Sequence, residues 1–512
     1  MMNGEINFTD YGDQGLGLET AAWKRTAYGY TLPHDGRMIE NSPAMLKLGL
    51  RRHFAQREPQ FMCGYDTYLR NNQKKAIRLC ERLFCDTVWR VVLEEFGEGI
   101  CESAERLAQT PHPKLALRKA DWEARETDGS NGATCWLRTV EMKLKTVEWA
   151  KTGKYGRIIV DLGVGASLQG AAYAEWCKKQ FGDQLIEVDN CCFWFITTPD
   201  PEIITAAFKM LLSNTYSLLF VVFSDDCCVS FDGGETTANF DISSCDMSHE
   251  PELFDLFFKA FKAPFDIEMA LRAQIMAPIK IHNPTNRDEY IIITPNGCYL
   301  QSGSTITTIT NVCAWFLIFC WSVLHHVQTP SDLVEACRQC GYIVTYDVCQ
   351  KPEDIQFLKM SPTLTADGEY YATLNLGVIL RASGVAKGDL QIPAAEFQTL
   401  LMSGLLAYIS NPELELLSPK VHVTREQPID YSTYSSVLGV LNLEVGRRQK
   451  YTIEALVARY DLTSDELDEL IYVLKNLDVG RYGYPTATRK IYQKDYGLDH
   501  PSLLDLSDAW WT

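Results

Sequence analysis

The chain has 512 residues, 46% hydrophobic and 22% charged, with 33 Gly and 21 Pro. That balance excludes collagen-like, coiled-coil or disordered architecture as the main design. Its net charge of −18 excludes a protein that coats nucleic acid with its whole surface, while leaving room for a local basic channel.

Length predicts roughly three or four domain-sized units, or one large subdivided body. The 17 cysteines, with no secretory signal at Met1 to Asp10, read as reduced thiols. The part to about Gln180 reads as mostly helical and locally basic. Arg51, Arg52, Arg70, Lys74, Lys75, Arg78 and Arg82 are followed by Lys114, Arg118 and Lys119. Such clusters are ordinarily solvated helix faces, but they stand out in an acidic chain. From Trp136 to Arg157 the cations Arg138, Lys143, Lys145, Lys151, Lys154 and Arg157 face only Glu141 and Glu148. Gly153 and Gly156 mark a turn there, and Arg157 to Val160 predicts a strand leaving it.

The middle of the chain is rich in predicted strands. Ser217 to Phe223 and Cys227 to Phe231 are apolar runs separated by Ser224-Asp225-Asp226, a β-hairpin with adjacent carboxylates at its tip. Asp232-Gly233-Gly234 is a turn, and Thr236 to Ile242 is the next strand. Glu250-Pro251-Glu252 opens a helix whose stripe Leu253, Phe254, Phe257, Phe258 and Phe261 is core packing. Ile279 to His282 and Tyr290 to Thr294 form a hairpin. Beyond Ser302 a helix is expected to about Leu324, another from Ser331 to Gln339, then a strand from Gly341 to Thr345. Helices return after about Thr363, notably Ser464 to Leu477. The apolar stretch Val312 to Leu324 is shorter than the ~18–20 residues of a membrane span and reads as a buried helix closed by His325-His326. Cys337 and Cys340 have metal-ligand spacing but no second Cys or His pair at a suitable distance.

Three groups carry chemistry. Asp225 and Asp226 share a tight turn, where side-by-side like charges are costly unless a cation neutralises them; an exposed hairpin tip with solvated acids is the plain alternative. Asp241 ends a buried-looking strand, with Asp246 in the bend beyond it. Ser302-Gly303 precedes a helix start lined with Ser and Thr, and Thr307 and Asn311 share a helix face four residues apart. A helix start of that kind suits a ribose and a phosphate backbone; an ordinary N-terminal cap is the alternative.

Together these residues resemble the palm motifs of viral RNA-dependent RNA polymerases. Asp241 and Asp246 resemble motif A, Ser302-Gly303 with Thr307 and Asn311 motif B, and Ser224-Asp225-Asp226 motif C, with Ser for the usual Gly. Lys351 resembles the motif D lysine, Phe357-Leu358-Lys359 the motif E strand, and Lys143, Lys145 and Arg157 the basic motif F. The motif C residues come before motif A, a C-A-B order similar to the permuted polymerases of birnaviruses and permutotetraviruses.

The resemblance implies an α+β right-hand fold: fingers over 1–215 including motif F at about 136–160, an antiparallel-sheet palm over 216–362, and a thumb and C-terminal region over 363–512. Fingers and thumb would be mostly helical, and part of 250–295 would fold back toward the fingers. It implies two Mg²⁺ ions, with Mn²⁺ as a substitute, held by Asp241 and Asp225 as bridging ligands and Asp226 as a secondary one. Lys351 would be the general acid for the leaving pyrophosphate. Lys143, Lys145, Arg157, Ser302, Gly303 and Thr307 would bind the nucleotide, Asp246 and Asn311 would read its sugar, and Phe357, Leu358 and Lys359 would contact RNA. Implied partners are template and nascent RNA, NTPs, and viral capsid or replication proteins, in the host cytoplasm or virion interior. A carboxylate-metal nuclease and a non-catalytic RNA-binding protein remain as other classes. The role of Trp510-Trp511 stays open.

Overall fold

In this computed structural model, residues 181–261, 265–293, 300–364, 368–378, 453–476 and 486–497 are described, with shorter stretches upstream, chiefly 73–80, 140–145 and 157–162. The expectations for Trp136, Arg138, Lys151, Lys154 and Trp510-Trp511, and most of the segment 363–512, lie outside the described residues.

A six-stranded sheet carries the carboxylates. It contains β5 (Leu185–Val188), β6 (Cys191–Phe195), β7 (Leu218–Phe223), β8 (Asp226–Phe231), β9 (Thr236–Ile242) and β12 (Val344–Val348), in the spatial order β12-β9-β8-β7-β6-β5. All neighbours are antiparallel except β6 and β7. The expected all-antiparallel sheet is therefore mixed, because a parallel pair needs a crossover. Helix α1 (Pro201–Leu212) supplies it, capped by Asp200 on the Ile203 N–H and started by Pro201. β5, β6 and α1 are not among the expected elements, and the boundary expected at 216 falls inside this sheet. β7 is apolar along its length because both faces of the sheet are covered.

On one face lies α5 (Thr307–Leu324), buried from Ile309 to Val323. Its Trp315, Phe316 and Phe319 pack with Phe181, Phe193 and Phe220, and with α3 (Pro251–Ala260). Among the described residues α5 alone is long and apolar enough to cross a membrane, and 83% of it is buried within the protein. Beyond the Ser302-Gly303 turn the helix starts only at Thr307, since the residues up to Ile306 are closed into turns by Ser304 N–H to Gln301 O and Thr307 N–H to Ser304 O. Helix α6 (Pro330–Gln339), opened by a Thr329–Asp332 capping box, leads into β12. α2 (Cys245–Ser248) and α4 (Phe265–Gln274) flank α3.

On the other face α1 packs with the hairpin β13 (Met360–Leu364) and β14 (Tyr370–Leu374) and with α7 (Ile453–Tyr460) and α9 (Ala487–Tyr496); α8 (Ser464–Asn476) completes this group. The hairpin replaces the helices expected directly after Thr363. A second sheet orders β11 (Tyr290–Ile293), β10 (Ile279–His282), β2 (Val140–Leu144) and β4 (Ile158–Asp161). β10 runs parallel to β2, so residues 279–293 join the basic segment, which is stranded where described rather than helical. β1 (Arg37–Met38) pairs with β3 (Trp149–Ala150). In the helical stretch 73–80, Lys74, Lys75 and Arg78 are exposed, and Lys74 pairs with Glu252 at 2.8 Å.

One buried pair joins α7 to α9, and its members bond outward to the segments before β13 and after β14. Arg459 lies 2.8 Å from Asp495, both almost fully buried. Asp495 also accepts from Tyr460 Oη and from the Gly377 N–H, and Arg459 donates to Glu353 O. Removing one member strands the other charge, at a cost of about 3–5 kcal/mol. Asp495→Ala should therefore lower stability to denaturant by about that amount, whereas Asp161→Ala, which breaks the exposed Lys143 pair, should cost about 1 kcal/mol or less. Equal losses would show that Arg459 and Asp495 do not couple these helices.

Candidate active site

The site begins with a two-residue turn. Phe223 of β7 pairs with Asp226 of β8, leaving Ser224 and Asp225 in the loop. Ser224 has φ of +57°, the left-handed conformation that such hairpin loops require and that costs a non-glycine residue roughly 1–2 kcal/mol. A hydrogen bond from Asn311 Nδ2 to Ser224 Oγ, 3.2 Å, offsets part of that cost. The indole N–H of Trp315 donates to Asp225 O at 3.1 Å. Two residues one turn apart on α5 thus clamp the tip from below.

β8 then runs against β9 with Asp226 directly opposite Asp241. Cross-strand partners share a sheet face, so these two carboxylates face the same way. The pair expected from sequence was Asp225 with Asp241; the register instead gives Asp226, because β8 begins there, while Asp225 occupies the turn. Asp226 is open to solvent but ringed by enough protein that its charge is poorly hydrated. That desolvation, with the charges of Asp225 and Asp241, raises its pKa to about 7, against the opposing pull of Lys359 and Arg157. Asp246 is raised to about 6, first by desolvation and then by Asp225; hydrogen bonds from Asn311 and Ser302 and the charge of Arg157 act the other way.

The Ser302-Gly303 turn is stitched to the basic strand. Val160 N–H of β4 donates to Ser302 O at 2.8 Å. Gly303 has φ of +111°, and a Cβ there would lie 2.4 Å from Val160 O. Only glycine lets the loop come this close. The contact brings Ser302 to Asp246 and sets Arg157, at the start of β4, where its charge reaches Asp226 and Asp246. Thr307 is occupied in closing the loop, donating from Oγ1 to Gln301 O at 3.1 Å.

Asn311 joins the two ends of the site. Its Nδ2 reaches Ser224, it donates to Asp246, and its Oδ1 sits 2.8 Å from His249 Nε2. His249 Nδ1 lies 3.1 Å from the Tyr342 hydroxyl. Neither His249 nor Tyr342 is among the residues singled out from the sequence. A single His three residues after Asp246 has no periodicity or spacing to mark it.

Several expected residues lie elsewhere. β12 pairs with β9 so that Thr345 faces Asp241 and Val348 faces Ala238. Lys351 lies beyond the end of β12, and its ammonium is 2.5 Å from Asp461. Its charge acts on Asp354. Phe357 to Lys359 do not form a strand: Phe357 bridges to Met360, and Leu358 and Lys359 take positive φ in a tight turn. Phe357 is buried in the core, so it offers no surface to RNA. Lys359 does act on Asp226, while its ammonium donates to Asp495 O at 2.5 Å and lies 4.7 Å from the Tyr496 ring centroid. Lys143 is engaged with Asp161 at 2.8 Å, and the Lys145 N–H bonds to Arg157 O.

No protein-family model matches the sequence, and no curated protein does. Among solved structures the chain is similar to the RNA polymerase VP1 from Infectious Pancreatic Necrosis Virus, at 11% identity and a TM-score of 0.42, over 78% of this chain and 55% of that one. It is similar to a chain of the birnavirus VP1-VP3 complex at 11% identity and a TM-score of 0.40, over 67% and 48% respectively. The chain therefore spans about half the length of these proteins. At that level of likeness, the chain's own residues have to carry a function.

The crowded carboxylates set a pH dependence. Folded protein holds the Asp226 proton up to about pH 7, whereas the unfolded chain releases it near 3.8. The unfolded state binds fewer protons across that window, so stability falls as pH rises through it, and the penalty is fully present above pH 7. In metal-free protein, Asp226→Asn should therefore melt higher than the parent at pH 8, with the gap narrowing toward pH 5. A gap independent of pH would contradict the assigned cause.

Proposed function

We propose that the chain is an RNA-directed RNA polymerase that joins NTPs to an RNA 3′-hydroxyl on an RNA template. The observation that carries this reading is the convergence of three sequence-distant groups. Asp226 faces Asp241 in register, the turn bearing Asp225 is clamped by Asn311 and Trp315, and Ser302 and Asn311 both bond Asp246. Unrelated look-alike motifs have no physical reason to meet. The carboxylate hairpin precedes β9 in the chain, so the motif order of this reading is C-A-B.

In this reading the six-stranded sheet with α5 is the palm, extended upstream to Leu185. The sheet of β2, β4, β10 and β11 belongs to the fingers, and α7 to α9 to the thumb side. Two Mg²⁺ ions, or Mn²⁺ in their place, fit the hard oxygen donors of Asp226, Asp241 and Asp225. Among the described residues no three His, Cys, Asp or Glu side chains make a ready-built cage. Mg²⁺ does not ask for one, since it takes one or two carboxylates and completes its shell with water and substrate phosphates. Bound there, the ions would acidify the attacking hydroxyl and neutralise the triphosphate.

The remaining roles fall to the chain itself. Arg157 and Lys359 bring positive charge against phosphate oxygens around the carboxylates. Asp246, oriented by Asn311 and Ser302, accepts a hydrogen bond from the ribose 2′-hydroxyl, which deoxyribose cannot offer. RNA template, nascent RNA and NTPs are the partners of this proposal. Viral capsid or replication proteins as further partners, and a site of action in the host cytoplasm or virion interior, belong to it as well.

Primer extension with single NTPs and Mg²⁺ tests the reading. The parent should extend an RNA primer by the templated nucleotide, and Asp226→Asn or Asp241→Asn should abolish extension with either sugar. Asn311→Ala should lower the ribonucleotide to deoxyribonucleotide ratio roughly ten- to hundredfold, the worth of a hydrogen bond to a charged group. Shortening of the RNA would point to a nuclease, and retention without chemistry to an RNA-binding protein. RNA affinity should fall with salt, and Arg157→Ala should flatten that dependence more than Lys75→Ala. The reverse order would place the RNA path elsewhere.

A further inference from the structure

Behind the sugar-reading pair lies a chain of hydrogen bonds that touches no reacting group. His249 and Tyr342 are buried, at 2% and 0% exposure. The imidazole is set edge-on to Tyr342 and Phe254, at interplanar angles of 72° and 86°. Cys245 Sγ also lies 3.8 Å from Nε2. The ring has little room to turn.

The polarity of this chain is dictated from its outer end. An ionised Asp246 carboxylate only accepts hydrogen bonds, so Asn311 must turn Nδ2 toward it, and toward Ser224. Asn311 Oδ1 then faces His249 Nε2 at 2.8 Å and needs a donor there. A neutral imidazole protonated on Nε2 has its lone pair on Nδ1. The Tyr342 hydroxyl, 3.1 Å away, donates to it. Burial pushes the Tyr342 phenol well above its ordinary pKa, so it stays a donor.

We propose that His249, held by Tyr342, is a positioning residue for nucleotide selection: it fixes which way round the Asn311 amide sits, and so lets Asp246 and Asn311 tell ribose from deoxyribose. The proposal rests on the polymerase reading above. With a lone pair at Nε2 the amide would flip, and Oδ1 would meet the Asp246 carboxylate. The site would still hold its carboxylates and still add nucleotides, but Asp246, the acceptor for the sugar hydroxyl, would lose the donor that orients it.

The test is single-turnover incorporation of matched ribo- and deoxyribonucleotides by the full chain. His249→Leu should lower the ribonucleotide preference roughly three- to thirtyfold, through slower ribonucleotide addition, with deoxyribonucleotide addition near that of the parent. His249→Gln, which keeps a donor toward Asn311, should retain most of the preference. Tyr342→Phe should shift it in the same direction by less. In the Asn311→Ala background, His249→Leu should change the ratio no further. Equal losses with both sugars, or a further drop in that background, would overturn the proposal. Where His249→Leu fails to fold, Tyr342→Phe and the imidazole ¹⁵N spectrum of the parent still decide it. A neutral ring protonated on Nε2 is expected, and a ring protonated on Nδ1 overturns the relay. A parent that extends no primer sinks the polymerase reading and the sugar role with it, while the spectrum decides the relay separately.

Discussion

Antiparallel pairing of β8 with β9 sets Asp226 across from Asp241, and the surroundings are shaped by the need to tolerate that juxtaposition. Two carboxylates on one face, with Asp225 in the adjoining turn, repel one another in a place where water hydrates Asp226 poorly. A fold keeps such an arrangement only where something else is gained. The local answer is partial: Arg157 and Lys359 pull against the repulsion without removing it. In the proposed function, the remaining unbalanced negative charge is what divalent cations and the phosphates they accompany would neutralise.

Rigidity comes from α5. Its apolar residues are buried against the sheet, and that packing carries Asn311 and Trp315 to the hairpin tip. The same helix is preceded by the Gly303 turn locked onto β4, so a single element registers the carboxylates, Asp246 with Asn311, and the basic strand relative to one another. Hydrophobic packing thus sets the geometry of a polar site. The opposite face of the sheet is held by α1, the β13–β14 hairpin and the C-terminal helices, two of which the Arg459–Asp495 pair joins.

Much of this is legible in the sequence, and the exceptions have physical reasons. Thr236 to Ile242 matches β9 to the residue, because its ends are marked by Gly233-Gly234 and a bend. β6 and α1 are missed although Asp200-Pro201-Glu202 carries the same start signal as Glu250-Pro251-Glu252. Nothing local distinguishes Cys191 to Phe195 as a strand that pairs in parallel across a crossover. Lys351 has a plausible place in the order of motifs, but its distance from Asp241 depends on strand register, which spacing along the chain does not encode. Phe357 looks like a surface contact until the turn at Leu358 and Lys359 folds it into the core. His249 is invisible for the opposite reason: its role exists only through what it touches.

The central claim is that Asp226 and Asp241 act together as one cation-binding point beneath the clamped turn. Titrating Mn²⁺ while observing the indole N–H of Trp315 and the side-chain amide of Asn311 by NMR tests it most directly, since both groups bond the turn between β7 and β8. The account predicts strong paramagnetic broadening of both signals in the parent, lost in Asp226→Asn and in Asp241→Asn alike, with the Trp321 indole signal little affected. Broadening that persists when either carboxylate is neutralised, or that falls on other parts of the protein, would contradict it.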